Sequence, residues 1–351
     1  MTLPEAKLQL LKSLRIIYDE RESATIADWV LEKITGLKKI DRILLRDRTL
    51  PAKDQDLLEK YTKELQTHRP VQYVLGESWF GGLRFRVDER VLIPRPETEE
   101  LVEWIHSLLT TDNPTLTAHH SLPYHSLPYR ILDIGTGSGC IPITLKSRFP
   151  AASVFAGDIS EDALTLARQN AADNGTPVNF FYMDILQSLT ETGTPLPASE
   201  AVQPVPVPPG SGPAQSSSPF QPLPLSQVSS SSPATQPSPA SQPSQTSRPV
   251  FDLIVSNPPY IPQKDRQTMQ ANVLSFEPSL ALFVEDDDPF IFYRAIAAFA
   301  DHHLSPGGSI FIELHEDLAE ETIRVFRNKG FEHISLKKDM QGKDRMIRAA
   351  R

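Results

Sequence analysis

Apolar positions in the first 75 residues recur at helical spacing: Leu10, Leu14 and Ile17, then Ile26, Val30 and Ile34, then Leu57, Tyr61 and Leu65. Side chains three or four positions apart share one helix face, so each stripe predicts a helix with one buried side, and together they predict a small bundle. Gly36 and Pro51 fall where helices are expected to break. From Pro70 to Val91 the pattern turns to short alternating runs around Gly76, Gly81 and Gly82, which predicts a β-hairpin joining two domains. Beyond it, strand and helix patterns alternate. Strands are expected at Arg130–Ile134, Ser153–Asp158, Asn179–Met183, Phe251–Ser256 and Ser309–Leu314, and helices at Glu97–Leu109, Ile141–Arg148, Glu161–Asn174 and Phe290–His302. This alternation argues for a mainly parallel sheet covered on both faces, an α/β fold.

Two stretches do not fit a packed domain. His-Ser-Leu-Pro-Tyr occurs at His120–Tyr124 and again at His125–Tyr129, lengthening a loop that is expected to be solvent-exposed. Residues 201–247 carry no charge and are rich in Pro, Ser and Gln. They cannot bury enough apolar surface to offset chain entropy, so a disordered insertion is expected there.

Composition narrows the class. With 351 residues and 39% hydrophobic content the chain can bury a core in at least one domain. A net charge of -9 gives no overall attraction to nucleic acid, whose non-specific binding rests on many Lys and Arg contacts to phosphate. The one cysteine, Cys140, excludes an internal disulfide framework and reads as a small core residue. Glu5, Lys7, Lys12 and Arg15 interrupt the apolar residues at the start, and no run approaches the ~18 apolar residues of a membrane helix. A soluble, cytoplasmic protein is expected.

The glycine run Gly135-Thr136-Gly137-Ser138-Gly139 follows an apolar strand ending in Asp133-Ile134 and precedes a helix. Glycines there allow a tight turn and let a ligand approach the backbone. Cys140 stands where a dinucleotide fingerprint would place its third glycine, which favours a cofactor lacking a pyrophosphate. Asp158 ends the next strand, where a carboxylate can accept hydrogen bonds from ribose hydroxyls. Asp184, after the third strand, suits either an adenine amino group or a loop cap.

Asn257-Pro258-Pro259-Tyr260 follows the strand Phe251–Ser256 and so lies at its carboxyl end, where open α/β sheets bind ligands. Consecutive prolines fix φ and stiffen the loop. It therefore offers two fixed acceptors, the Asn257 side-chain oxygen and the Pro258 carbonyl, with the Tyr260 ring beside them. An amide or aromatic NH2 has two in-plane hydrogens to match, and such binding would aim its nitrogen at a methyl sulfonium. No general base stands out, and no metal ion is called for.

Together with Arg69–Tyr73, Gly76, Phe80-Gly81, Val91–Glu99, Glu277-Pro278, Pro306–Gly308 and Asp339–Arg345, these motifs make the chain resemble the release-factor glutamine methyltransferases of bacteria and organelles. The resemblance implies a helical domain over residues 1–70 that docks the release factor and a hairpin linker over 71–93. A seven-stranded, Rossmann-like S-adenosylmethionine-dependent methyltransferase domain would fill 94–351, with the Pro/Ser-rich insertion at about 188–249. It further implies class 1 peptide chain release factors as protein substrates, methylated on the glutamine of their Gly-Gly-Gln tripeptide. Asn257, Pro258 and Pro259 would hold that amide and Tyr260 would pack against it, with Asn257, Pro258 and Tyr260 as the catalytic group. Gly135, Thr136, Gly137, Ser138, Gly139, Asp158, Asp184 and Asn257 would bind the cofactor. Pro94–Glu99 resembles the family's stretch near the site, and equally reads as a proline-led helix start with Glu97 and Glu99 at its positive end.

Two departures stand out. Ile185 offers only apolar contact where the family often has an aromatic residue, and Glu313-Leu314-His315-Glu316 lacks an expected glycine and glutamine. His315 reads as a surface residue. A relative that methylates a ribosomal-protein glutamine shares the main motifs, but Arg95–Glu99 suits the release-factor group better. A DNA adenine methyltransferase would need a basic recognition domain, which the near-neutral helical segment does not supply. A non-catalytic scaffold would have no need of the intact glycine loop, Asp158 and Asn257.

Overall fold

The computed structural model describes residues 1–110, 129–187 and 250–351. The first pentapeptide copy, the second apart from Tyr129, and the proline-rich stretch lie outside the described residues, and with them the expectations of an exposed loop and a disordered insertion. Among the described residues no helix is long and apolar enough to cross a membrane.

The first helix, Leu3–Leu14, starts at Thr2, whose hydroxyl accepts from the Glu5 N–H while the Glu5 carboxylate accepts from the Thr2 N–H. This reciprocal cap satisfies two donors that the helix start would otherwise leave bare. Asp19 caps Glu20–Thr35, and Gly36 closes that helix at φ 67°. Shorter helices follow at Lys39–Leu44, Ala52–Leu65 and Val71–Leu75. Of the stripe residues, Leu10, Leu14, Ile26, Val30 and Leu65 are buried in one core with Leu3, Leu31 and Leu58. Ile34 and Tyr61 pack at its margin.

The hairpin is narrower than its sequence pattern. Strand β1 is Ser78–Phe80 and β2 is Leu83–Phe85, whereas Val71–Leu75 is helical. A five-residue apolar run suits either state, and here Val71, Val74 and Leu75 settle it by packing into the helical core. The turn at Gly81 has φ 58°, and a Cβ added there would come 2.5 Å from Thr144 Cγ2. Glycine thus lets the hairpin press on the helix Cys140–Arg148.

The main sheet contains β3 (Arg130–Ile134), β4 (Ser153–Asp158), β5 (Asn179–Tyr182), β6 (Phe251–Ser256), β9 (Leu304–Glu313), β10 (His333–Lys338) and β11 (Asp344–Ala350). Strands β7 (Ile261–Pro262) and β8 (Phe283–Val284) form a separate short pair. The seven strands lie in the order β10-β11-β9-β6-β3-β4-β5. Only β11 runs against its neighbours; β9, β6, β3, β4 and β5 are parallel. The alternation foresaw the five parallel strands but not the C-terminal pair. β9 also starts five residues earlier than expected, carrying Pro306–Gly308 within an irregular stretch of its pairing with β6.

Helix Pro96–Thr110 contributes Leu101, Val102 and Ile105 to a core with Ile131, Leu253, Val255 and Phe311 of the sheet. The alternate strand positions Leu132, Ile254, Ile310 and Ile312 are buried as well, so both faces of the sheet are covered. Helices Ile291–His303 and Ala319–Arg327 pack on β9 and β11 respectively.

Candidate active site

Strands β3 and β6 are parallel neighbours, but β3 leads outward to β4 and β6 leads the other way to β9. The loops at their carboxyl ends therefore diverge and leave a crevice. The Ser256 hydroxyl donates to the Ile134 carbonyl at 2.7 Å and ties the two strand ends together beneath it.

Gly135 and Gly137 adopt φ 73° and 52°, a left-handed region that costs a side-chain-bearing residue energy. The Gly135 and Thr136 N–H groups donate to the Gly157 carbonyl at 2.9 and 3.1 Å, so the loop is anchored to β4. A Cβ added at Gly135 or Gly137 would meet only open space, because both residues line a cavity of about 250 Å³. Asp158 closes one side. Its carboxylate accepts from Gly137 N–H at 2.8 Å and Ser160 N–H at 2.9 Å. Burial nonetheless holds its carboxyl above the usual range, against the pull of those backbone donors.

The remaining walls are largely apolar, with Ile159, Met183, Ile185 and Ala281 among them. Asp184 lines the same cavity, and one of its oxygens also caps the following turn through Leu186 N–H at 2.9 Å. Both readings of Asp184 from the sequence are thus physically available in one side chain. A cradle of bare glycine backbone, an acceptor carboxylate and apolar flanks suits the ribose, adenine and methionine parts of S-adenosyl-L-methionine.

Of the sequence-proposed residues, Gly135, Gly137, Asp158, Asp184, Asn257, Pro258 and Pro259 are brought together around this cavity. Thr136, Ser138, Gly139 and Tyr260 are not among its lining. Thr136 and Ser138 are buried behind the loop, and Gly139 caps the helix Cys140–Arg148. Arg90, Val91 and Leu92 do line it, although no sequence signal beyond the family-like Val91–Glu99 stretch marked them.

Beneath Asn257 lies a hydrogen-bonded chain. The Asn257 Nδ2 donates to Thr98 Oγ1 at 3.0 Å, the Thr98 hydroxyl donates to Glu313 Oε2 at 2.6 Å, and the Tyr260 hydroxyl donates to Glu313 Oε1 at 3.0 Å. Thr98 and Glu313 are 3% and 1% exposed, so the bond between them lies out of competition with water, while the bonds from Asn257 and Tyr260 are part-buried. Burial pushes the Glu313 carboxyl up, and the hydroxyls of Thr98 and Tyr260 and the charge of Arg345 pull it back. His315 lies at the margin of this chain, part-buried, with its ring 6.1 Å edge-on from that of Tyr260 and Nδ1 accepting from Asp317 N–H.

Behind the glycine loop, Asp133 is fully buried, and neither of its carboxylate oxygens nor the neighbouring Thr136 hydroxyl has a partner at hydrogen-bonding geometry among the described residues. Burial pushes its carboxyl up to about 7, with Thr136 lowering it and Asp158 adding to the rise.

Comparison with known proteins places these parts in a family. Residues 131–195 match the family profile described as "Methyltransferase domain", and residues 9–76 match "PrmC N-terminal domain". The chain is 36% identical over 348 residues to the release factor glutamine methyltransferase of Flavobacterium psychrophilum, covering 99% of each chain. It is 33% identical over 340 residues to the protein of that name from Bacteroides thetaiotaomicron, covering 97% of each. Among solved structures, the human methyltransferase 10 domain containing protein overlays with a TM-score of 0.43 at 12% identity, covering 86% of this chain and 99% of that one. The chain is thus an enzyme of the S-adenosyl-L-methionine-dependent methyltransferase class, and its near full-length identity to curated relatives makes it a member of the release factor glutamine methyltransferase family.

Proposed function

We propose that this enzyme methylates the side-chain amide nitrogen of the glutamine in the Gly-Gly-Gln tripeptide of class 1 peptide chain release factors, in the cytoplasm. The observation that carries the reading is the bond from Asn257 Nδ2 to Thr98 in a residue that lines the cavity, which fixes which end of the amide is the donor and keeps Asn257 Oδ1 as an acceptor for substrate. An acceptor there, with the Pro258 carbonyl as a second, matches the two N–H bonds of a primary amide.

S-adenosyl-L-methionine supplies, when bound, a methyl group already activated by attachment to a sulfonium. Gly135, Gly137, Asp158 and Asp184 line the place where it would be held, with Thr136, Ser138 and Gly139 shaping the loop from behind. Asn257, Pro258 and Pro259 orient the amide so that its nitrogen faces the methyl carbon, with Tyr260 packing alongside. The residues of this chain would hold the amide with its nitrogen directed at the methyl group that the bound cofactor would supply, and the nitrogen's surplus proton would pass to water. An amide nitrogen is a weak nucleophile, so placement is the chain's main contribution; alignment of bound reactants supplies up to ~7–11 kcal/mol.

The helical residues 1–70 serve as the docking domain, residues 71–93 as its linker and residues 94–351 as the catalytic domain. A groove of about 390 Å³, bordered by Glu22 and Trp29 on one side and Arg95 on the other, supports a docking role for the boundary between them. The test is mass spectrometry of intact release factor incubated with this enzyme and isotope-labelled S-adenosyl-L-methionine. Label on the Gly-Gly-Gln glutamine, lost with Asn257→Ala, supports the reading; label absent from that residue overturns it.

A further inference from the structure

We infer that Glu313 is a positioning residue that sets the polarity of the Asn257 amide, acting through the Thr98 hydroxyl. The inference rests on the proposed role of Asn257 and deepens it.

The argument is one of proton counting. Both Glu313 oxygens accept from hydroxyls, Oε2 from Thr98 and Oε1 from Tyr260, which is the arrangement of an ionised carboxylate, a group with no hydrogen to give. Each hydroxyl that reaches it, Thr98 at 2.6 Å and Tyr260 at 3.0 Å, must spend its single proton on it. Thr98 Oγ1 then has only lone pairs left for Asn257, 3.0 Å away, and of the two ends of the Asn257 amide only the NH2 can bond to a lone pair. The amide is thereby fixed with its NH2 end on Thr98, and Oδ1 is kept as the acceptor of a side chain that lines the cavity. In that orientation the site attracts an amide NH2 and disfavours a carboxylate, whose oxygens would meet Oδ1 as acceptor against acceptor.

The chain spans three separated segments: Thr98 on the helix Pro96–Thr110, Asn257 and Tyr260 after β6, and Glu313 at the end of β9. Among the described residues, the other charged or titratable groups coupled to Glu313 are Glu97 from the same helix as Thr98, Cys140 from Cys140–Arg148, Tyr293 from Ile291–His303 and Arg345 from β11. Arg345 is engaged with Asp339 and Glu316, so it supports the negative charge from a distance without replacing either hydroxyl. A neutral glutamine at position 313 could present its own NH2 to Thr98. That frees the Thr98 proton for Asn257 Oδ1 and lets the amide turn its NH2 towards the substrate's NH2, donor against donor.

The experiment compares wild type, Glu313→Gln, Thr98→Val, Thr98→Ser, the Glu313→Gln/Thr98→Val pair and Asn257→Ala as full chains acting on intact release factor. The kcat, its pH dependence at saturating S-adenosyl-L-methionine, cofactor affinity by calorimetry and the melting temperature are measured for each. We expect kcat to fall about 100-fold in Glu313→Gln and in Thr98→Val, the scale of a misplaced reacting group, while cofactor affinity stays within about twofold. Thr98→Ser should regain at least about tenfold over Thr98→Val, and the double variant should be no worse than the weaker single one, because both break one chain. Wild-type kcat should drop as acid protonates Glu313, and Glu313→Gln should lack that limb. If Thr98→Val keeps kcat within about threefold of wild type, or the two losses add, while Asn257→Ala is inactive, the positioning role is wrong and the site reading survives. If Asn257→Ala stays active, the site reading itself falls. Should Glu313→Gln fail to fold by its melting curve, the Thr98→Val and Thr98→Ser pair decides alone.

Discussion

Asn170 donates to the Ser138 carbonyl at 2.9 Å, so a side chain of the helix Glu161–Asp173 holds the back of the glycine loop. The same amide donates to the Arg86 carbonyl at 3.1 Å, and its oxygen accepts from Arg86 N–H at 2.7 Å. One fully buried side chain therefore ties the hairpin linker, the helix and the cofactor loop together. Replacing it with alanine leaves backbone groups on both sides without their partner. Asn170→Ala should cost about 1–3 kcal/mol in urea unfolding and weaken cofactor binding measured by calorimetry; unchanged values of both would refute the shared anchor.

Asp158 accepts from the Gly137 and Ser160 backbone and faces the cavity with its remaining lone pairs. Asp158→Asn should raise the cofactor dissociation constant about 10- to 100-fold, the range for a lost charge-assisted bond, with a much smaller change in kcat at saturation. Because burial raises the Asp158 pKa, wild-type affinity should fall as the pH is lowered through it. The variant should show a flatter profile by calorimetry across the same pH series.

The buried Asp133 predicts a pH dependence of stability with a definite sign. Its folded pKa of about 7 exceeds that of an unfolded aspartate, so between those values the folded state binds the extra proton. The apoprotein should lose stability as pH rises from about 4 towards 7, with the full penalty present above. Asp133→Asn removes the ionisation and should flatten that slope in denaturant titrations at several pH values. A slope identical to wild type would mean that Asp133 is not held neutral.

Gly81 combines a left-handed φ with close approach to Thr144. Gly81→Ala should destabilise the chain by about 1–3 kcal/mol, and adding Thr144→Ala should recover part of that loss by removing the clash but not the backbone strain. Thermal unfolding of the single and double variants tests it; equal melting temperatures for both would refute the contact.

The parts legible in the sequence share one property: their signal is local. Helical stripes such as Leu10-Leu14 and Ile26-Val30, the glycines following Ile134, and the prolines following Asn257 each announce themselves within a few residues. Thr98 lies between Glu97 and Thr98's own neighbour Glu99 in a polar helix start, and nothing nearby reveals that it bridges residues 159 and 215 positions further along. Glu313 drew notice only as a departure from a pattern. Strand β10 is exposed at His333, Ser335, Leu336 and Lys338, so it lacks the clean alternation of a half-buried strand. Val71–Leu75 was ambiguous because five apolar residues fit either element until the helical core beside them is known.

The separation of Thr98, Asn257 and Glu313 along the chain also bears on how the family can drift. Each residue's donor or acceptor role is dictated by the other two, so a change at one position leaves a mismatched hydrogen bond that only a change at another can mend. Across related sequences these three positions should therefore be inherited as a set, changing jointly or not at all, even where the helices and strands that carry them diverge freely.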